Sequence, residues 1–200
     1  MPISTDLLLA LILYAFVASI TPGPNNLMLL ASGANFGFRR TLPHMLGIGG
    51  GFTVMVALVG LGLAGLFVTY PPARLVLTVL SVLYLLWLSW KIATAAPPDR
   101  QATVATKPFS FLQAAAFQWV NPKAWTMALT ANTLYAPAAD LPSVLAVALA
   151  FGAVNLPCVS VWAAMGTVLR RILRTPTGLR LFNGAMALLL VATLWPVLRT

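Results

Sequence analysis

Two polar motifs interrupt long apolar stretches of this chain. Thr21-Pro22-Gly23-Pro24-Asn25 lies within the first stretch, and Asn121-Pro122-Lys123 lies within the fourth. Proline clashes with the preceding helical turn, yet it suits the first position of a helix that follows a Thr or Asn cap. We therefore predict that each motif ends one half-helix and begins another, with Thr21 and Asn121 as the caps. The positive ends of two such half-helices favour an anion.

Lys123 is the one cation that the connections and chain ends do not account for, and it lies inside the fourth apolar stretch. A charged side chain at the centre of a membrane helix costs about 2.5 to 3.5 kcal/mol on insertion scales. The acidic residues of the chain, Asp6, Asp99 and Asp140, are all predicted at or beyond the membrane surfaces. We infer that the partner of Lys123 is the carboxylate of a bound solute. The alternative is that the ammonium extends to the surface or contacts backbone carbonyls freed by the breaks.

Amide side chains complete the predicted binding site. Asn25 and Asn155 are the preferred contacts, while hydrogen bonding between helices is the simpler role for the other asparagines. The predicted site residues are Thr21, Pro22, Gly23, Pro24, Asn25, Asn121, Pro122, Lys123 and Asn155.

The elements that position these residues follow from the composition. Hydrophobic residues make up 60% of the 200 residues and charged residues 8%, and the mean hydropathy is +0.92. This composition excludes a water-soluble fold. Because a membrane-spanning helix needs about 20 apolar residues, the sequence predicts an all-α polytopic membrane protein. Its six spans are expected at about 7–36, 42–69, 75–96, 109–134, 142–169 and 179–198.

The positions of the basic residues predict how these spans are oriented. Most of the twelve Lys and Arg residues fall in alternate connections, namely Arg39, Arg40, Lys91, Arg100, Lys107, Arg170, Arg171, Arg174 and Arg180. By the positive-inside rule these residues face the cytoplasm, so both termini lie outside. The positive charge therefore records topology and does not indicate a nucleic-acid partner.

Several classes of site are excluded because their residue types are too few. The chain has one cysteine, Cys158, and one histidine, His44. A disulfide framework and a thiol-relay oxidoreductase need cysteine pairs, and a metal cage needs several soft ligands. We therefore expect no catalytic residues, no metal and no cofactor. His44, at the predicted cytoplasmic mouth of the second span, could help pass protons, although an interfacial histidine without such a role is commoner.

The two halves of the chain resemble each other. Pro22 corresponds to Pro122, Leu42-Pro43 to Leu141-Pro142 and Arg74-Leu75 to Arg180-Leu181, at offsets of 100, 99 and 106. Each half holds three predicted helices, so the halves must insert in opposite orientations, as in many secondary transporters. We predict one transmembrane domain, with repeat A at about 5–96, a cytoplasmic linker at 97–108 and repeat B at about 109–198.

Further motifs connect the sequence to a known family. Beside the two breaks stand Gly37-Phe-Arg-Arg40, Gly47 and Gly51, the segment 84–90 (YLLWLSW), Asn121-Pro-Lys-Ala-Trp125 and Asn155-Leu-Pro-Cys158. Together they resemble the LysE/RhtB family of amino-acid exporters over nearly the whole chain. The resemblance implies a bacterial inner-membrane protein that exports amino acids or related metabolites, driven by the proton-motive force, as a homo-oligomer. It carries binding roles to Pro22, Gly23, Pro24, Asn25, Asn121, Pro122 and Lys123.

The sequence departs from this family pattern in its second span. Many similar proteins carry an acidic residue in the glycine-rich part of that span, whereas 47–53 here reads GIGGGFT. A side-chain ammonium, such as that of lysine, would meet no intramembrane carboxylate, so a neutral or apolar amino acid is the favoured substrate. The alternatives are a carrier of another small solute, such as a metal ion or a lipid-like molecule, and a membrane scaffold that transports nothing.

Overall fold

The structure is a computed structural model, and it describes residues 5–95, 107–173 and 175–195. All regular elements in these ranges are helical. Most of the predicted linker, residues 97–106, lies outside the described residues, so the predicted domain layout stays untested there. The α-helices, in chain order, are α1 Thr5–Ile20, α2 Pro24–Phe36, α3 Phe38–Leu58, α4 Gly65–Thr69, α5 Pro72–Ala93, α6 Phe111–Phe117, α7 Pro122–Tyr135, α8 Leu141–Ile172 and α9 Pro176–Ala192.

Apolar side chains cover the outside of the molecule, and polar side chains are enclosed. Large hydrophobic residues stand exposed along α1, α5 and α9, among them Leu13, Trp90 and Leu188. Buried amides include Gln118 and Asn183, both 0% exposed. A soluble protein buries the first kind of side chain and exposes the second. The reversal is what a hydrocarbon solvent requires, and it is consistent with a polytopic membrane protein.

Three described helices are long and apolar enough to cross a membrane: 38–63, 72–93 and 141–172. The count rises to four if α1 and α2, which are bent by 55° at their junction, form one span. α9 has 17 residues, and α6 and α7 have 7 and 14. Length and composition therefore support several spans, and the six-span arrangement stays a prediction.

Two glycines with positive φ angles determine where the backbone turns between helices in the first half of the chain. Gly37, with φ of 82°, lies between α2 and α3 and lets one helix follow the other without a loop. Gly62, with φ of 108°, lies in a π-helical segment, Val59–Leu63, between α3 and α4. Most side chains disfavour these angles because of steric clashes. The second predicted span, 42–69, is thus bent near its end, which its apolar pattern did not reveal.

Side-chain caps fix where the later helices begin. Ser110 accepts a hydrogen bond from the Gln113 backbone N–H, and the Gln113 side chain accepts one from Ser110 N–H, which starts α6 with a capping box. Asp140 accepts hydrogen bonds from the backbone N–H and hydroxyl of Ser143 at the start of α8. These bonds favour the ionised carboxylate and lower the pKa of Asp140.

Glycines bring two helix pairs into backbone contact. A Cβ at Gly33 on α2 would strike the carbonyl oxygen of Ala163 on α8, and one at Gly166 on α8 would strike that of Leu30. In the same way, Gly47 on α3 faces the carbonyl of Phe111 on α6. Small residues at such crossings allow the close packing that holds membrane helices together.

The α2–α8 contact gives a stability prediction with a matched control. Gly166→Ala should lower the free energy of unfolding by about 1 to 3 kcal/mol, because the new methyl group overpacks a backbone contact. Gly184→Ala, in α9 with nothing within 4 Å of its Cβ position, should be neutral or stabilising by up to about 1 kcal/mol. Thermal unfolding of both variants in detergent measures the difference. Equal melting temperatures would contradict the packing role.

Candidate functional site between the two helix breaks

The first break lies between α1 and α2. α1 ends at Ile20, and α2 begins at Pro24 with Gly23 as its N-cap residue. The prediction that Thr21 caps the second half-helix is therefore wrong. Pro24, not Pro22, takes the first helical position, where its missing N–H costs nothing. The Thr21 hydroxyl instead donates to the Ala18 carbonyl at 3.0 Å and closes the end of α1.

The second break lies between α6 and α7. A 3₁₀ turn, Gln118–Val120, follows α6, and Asn121 is the N-cap of α7 with Pro122 as its first residue. The Asn121 side-chain oxygen accepts a hydrogen bond from the backbone N–H of Lys123 at 3.2 Å. The capped turn positions the Lys123 side chain at the first break.

Side chains from three helices satisfy the carbonyl groups released where α1 ends. Asn26 Nδ2 donates to the carbonyl oxygens of Ser19 at 2.8 Å and Thr21 at 2.7 Å. Trp162 Nε1, from α8, donates to the carbonyl of Ile20 at 3.1 Å. The last carbonyls of a helix have no intrahelical partner, and in hydrocarbon no water replaces one. The carbonyl groups at the end of α1 are therefore paired although the helix stops there.

Lys123 completes this set of donors. Its ammonium lies 2.8 Å from the Thr21 carbonyl oxygen, 3.0 Å from the Thr21 hydroxyl and 3.3 Å from the Pro22 carbonyl. The ammonium also lies at the negative end of α1, where a cation is stabilised. In this conformation its partners are the freed backbone oxygens, which is the alternative that the sequence left open.

Gly23 provides the space for this contact. Its φ is −177°, an extended conformation that any residue adopts. A Cβ at Gly23 would lie 2.7 Å from Cδ of Lys123 and 3.1 Å from its Nζ. Glycine is therefore needed at position 23 because a larger residue would collide with the Lys123 side chain, and not because of the backbone angles of Gly23.

A pair of amides forms a second connection between the breaks. Asn25 Nδ2 donates to Gln118 Oε1 at 2.9 Å, and Gln118 Nε2 donates back to Asn25 Oδ1 at 3.2 Å. Gln118 Nε2 also donates to the Ala114 carbonyl at 2.8 Å. Asn25 at the start of α2 is thus held by the turn that precedes α7, while Lys123 of α7 holds the end of α1.

A small cavity of about 20 Å³ lies among these groups. We call it the central cavity, and its lining includes Ser19, Gly23, Asn25, Asn26, Phe52, Asn121, Lys123, Met127 and Asn155. Asn155 on α8 donates to the Ser19 hydroxyl at 3.1 Å, and its buried Oδ1 has no hydrogen-bond partner among the described residues. The cavity therefore combines one cation with an unpaired amide oxygen.

The structure brings most of the predicted residues to this one place. Gly23, Asn25, Asn121, Lys123 and Asn155 line the central cavity. Thr21 and Pro22 supply oxygens to Lys123, and Pro24 and Pro122 begin α2 and α7. The described residues contain no group of three His, Cys, Asp or Glu side chains that could hold a metal ion.

Sequence reasoning missed Gln118 and gave Asn26 only the general role of hydrogen bonding between helices. Gln118 is fully buried, and its one available signal was an amide within an apolar stretch three residues before Asn121. Asn26 follows the first motif directly and bridges the two sides of the break. Neither role could be derived without knowing which backbone carbonyls lie opposite these side chains.

Comparison with known proteins agrees with the motifs at these breaks. A family model described as LysE type translocator matches residues 16–193. The chain belongs to the LysE family. Cysteine/O-acetylserine efflux proteins of Escherichia coli K12 and Shigella flexneri serotype 5b are each 33% identical to it over 180 residues. These matches cover 89% of this chain and 90% of each relative. No solved structure matches the chain significantly.

Membership of the LysE family makes this chain a transporter and not an enzyme, as its residue types predicted. It also agrees with the apolar exterior, which indicates a multi-pass membrane protein. The LysE match includes both breaks, since residues 16–193 contain α2, α7 and the segments before them. The central cavity is therefore part of the family domain.

The amide pair gives a prediction for a double-mutant cycle. Asn25→Ala and Gln118→Ala should each lower the free energy of unfolding, because the first leaves the buried Gln118 amide and the second the partly buried Asn25 amide without its partner. The double variant should lose less than the sum, with a coupling of at least about 0.5 kcal/mol. Asn25→Ala combined with Asn132→Ala, whose amide bonds to the Val56 and Ala128 carbonyls, should be additive. Thermal unfolding in detergent measures both cycles, and additivity in the first would contradict the pairing.

Proposed function

We propose that this chain is a secondary transporter that exports a small neutral amino acid, whose carboxylate binds in the central cavity. The observation that carries the proposal is the position of Lys123, an ammonium that lines this cavity between two broken helices. Among the described residues lining the cavity there is no carboxylate to neutralise it. An unneutralised cation with adjacent helix starts is suited to an anionic group.

In the proposed cycle Lys123 exchanges partners. Without substrate, its ammonium is held by the oxygens of Thr21 and Pro22. A carboxylate carries a full negative charge, so it forms a stronger hydrogen bond with the ammonium than a carbonyl does. Substrate binding then releases the end of α1 from α7. Asn155 Oδ1, which lacks a donor, accepts a hydrogen bond from the substrate's amino group.

The size of the central cavity supports a closed conformation. Its volume of about 20 Å³ holds about one water molecule, which is far less than any amino acid. Substrate must therefore enter after the surrounding helices move apart. Alternating access around a fixed site supplies that movement in transporters built from inverted repeats. The repeat proposal is supported by the element order, since each half has a broken helix pair, then a long helix, then a further helix.

Three observations support a small neutral substrate. The curated relatives are named for efflux of cysteine and O-acetylserine, both compact zwitterions. The apolar side chains at the central cavity, such as Phe52 and Met127, suit a short uncharged side chain. No carboxylate lines the cavity to neutralise a second ammonium. Serine, cysteine and O-acetylserine are the first candidates.

The proposed topology places the basic end of the molecule in the cytoplasm of a bacterial inner membrane. Gly37 beside the start of α3 approaches Arg170 at the end of α8, where Nη1 lies 3.1 Å from the Cβ position. Arg39, Arg40 and Arg171 therefore gather at the same end, as the positive-inside rule requires of a cytoplasmic face. Both termini outside the cytoplasm, and assembly into a homo-oligomer, remain predictions.

A transport assay with matched variants tests the function. Purified chain in proteoliposomes should exchange labelled O-acetylserine, with serine and cysteine competing and lysine not competing. Lys123→Gln should reduce flux at least about tenfold, because it removes the charge that binds the carboxylate. Asn155→Ala should raise KM several-fold. Asn132→Ala, another buried asparagine with an unpaired Oδ1 but outside the central cavity, should leave KM unchanged.

The same assay distinguishes the competing functions. Exchange of another solute with the same dependence on Lys123 would keep the site and change the substrate. Absence of exchange for every amino acid and related metabolite, with folded protein in the vesicles, would favour a scaffold. Full flux in Lys123→Gln would contradict the proposed carboxylate site.

A further inference from the structure

A second and larger cavity lies at the basic end of the molecule. Its volume is about 440 Å³, and it lies among α2, α3, α5 and the start of α6. We call it the vestibule; its lining includes Asn35, His44, Lys91, Lys107, Phe109 and Gln113. This volume falls within the range of small-molecule sites, whereas the central cavity in the same conformation does not.

The charged residues in the described lining of the vestibule are all basic. Lys91, from the last turn of α5, and Lys107, just before α6, are the charged residues among its described lining. Both are exposed at its mouth, and Lys91 Nζ lies 4.6 Å from the centre of the Trp87 ring. No carboxylate stands opposite either ammonium in the described lining. Such a mouth attracts anions and raises their local concentration.

His44 is the unmatched polar group of the vestibule. It is 2% exposed, and neither ring nitrogen has a hydrogen-bond partner in the described part of the chain. Its polar neighbours are already paired, since Asn35 bonds with Asn183 and Ser32 with Thr41. The Phe109 ring lies 5.2 Å from the imidazole, centre to centre. A buried polar group left unpaired is costly, so His44 would gain from a ligand that reached it.

The vestibule and the central cavity follow one another along a single face of α2. Asn25 lines the central cavity, and Met28, Ser32 and Asn35 line the vestibule. The spacings of three, four and three residues place these side chains on the same side of the helix. Ten residues of helix separate Asn25 from Asn35 by about 15 Å. The Asn25–Gln118 amide pair lies at the end of this face next to the central cavity.

We propose that the vestibule is an entry site that binds the α-carboxylate of the substrate before it reaches the central cavity. Lys91 and Lys107 attract the carboxylate at the mouth. His44 donates an N–H to it once Phe109 turns aside, and α2 then provides the polar path inward. This inference rests on the proposed export function and adds a second binding step to it.

Transport kinetics in everted membrane vesicles test this step. The double variant Lys91→Gln/Lys107→Gln should raise KM for labelled O-acetylserine by about fivefold to tenfold and leave the maximal rate within about twofold. Added salt should raise KM of the natural chain and affect the double variant less, because salt screens exposed charges. Arg74→Gln removes an exposed cation at the opposite end of α5 and should change neither value. Right-side-out vesicles, measured in parallel, expose the opposite face of the protein to the added substrate.

The role of His44 is tested with two variants that separate hydrogen-bond donation from the space that the imidazole fills. His44→Leu should raise KM, and His44→Gln, which keeps an N–H donor, should restore most of the loss. If both variants fold and both retain the natural KM, His44 takes no part and the entry site as proposed is wrong. If both lose transport equally while melting at a lower temperature, the imidazole serves packing alone and the proposal fails.

A direct binding measurement tests the vestibule even if the purified chain shows no transport. Titration of the detergent-solubilised chain with sodium acetate, against sodium chloride, should change tryptophan emission saturably as Lys91 leaves the Trp87 ring. The change should disappear in Trp87→Phe and in Lys91→Gln/Lys107→Gln. No change with acetate would overturn the vestibule proposal. Saturable binding without flux for any amino acid would instead overturn the export function and keep the anion site.

Lipid headgroups are the other source of an anionic group at this position. Proteoliposomes of phosphatidylcholine alone contain no anionic lipid, so the KM effect of the double variant should persist there. If the effect appears only when phosphatidylglycerol is added, the lysines bind headgroups and the entry site is wrong. If KM of the double variant equals that of the natural chain in both lipids while Lys123→Gln still reduces flux at least about tenfold, the vestibule proposal fails and the central site stands.

Discussion

The carbonyl groups released where α1 ends constrain much of this structure. A helix that stops inside a membrane leaves backbone acceptors that water cannot reach. Here Asn26, Trp162 and Lys123 donate to four of those oxygens, from α2, α8 and α7. One unpaired helix end therefore fixes three other helices around it. Loss of Asn26 or Trp162 would leave the buried Ser19 oxygen or the partly buried Ile20 oxygen without its side-chain donor, where an unpaired group is expensive.

The same constraint explains how an interior without described carboxylates tolerates a lysine. The partial negative charge of a helix end and several oxygens together take the place of a counter-ion. This arrangement is weaker than an ion pair between full charges, so a carboxylate can compete for the ammonium. An Asp or Glu at the break would neutralise Lys123 permanently and remove that competition. In the proposed transport cycle, the absence of an acid is thus a requirement and not a defect.

The sequence predicted where the site lies better than it predicted which side chains contact one another there. Proline motifs and a lysine in an apolar stretch identify where helices stop, because their chemistry is local. Gln118 as the partner of Asn25, and Trp162 as a donor to Ile20, depend on which helix faces which, and no local rule supplies that. The shift of the cap from Thr21 to Gly23 has a local cause that the prediction overlooked. A helix that began at Pro22 would need Gly23 in the α conformation, which the following Pro24 disfavours, and Gly23 is instead extended.

The distribution of contacts also indicates where the molecule can open. At Gly33 with Ala163, and at Gly47 with Phe111, a glycine on one helix meets the backbone of another. α3 also packs closely on α8, where Gly152 meets the Thr53 side chain. Close-packed helices cannot slide without losing many contacts at once, so α2, α3, α6 and α8 are expected to move together. The start of α7 and the turn before it are joined to the other helices at the central cavity by long polar side chains, Lys123 to the end of α1 and Gln118 to Asn25 of α2. Side chains of this kind exchange partners by changing rotamer, which costs far less than separating two helices. We therefore expect the closed cavity to open where these two side chains connect the start of α7 and the turn before it to the end of α1 and the start of α2.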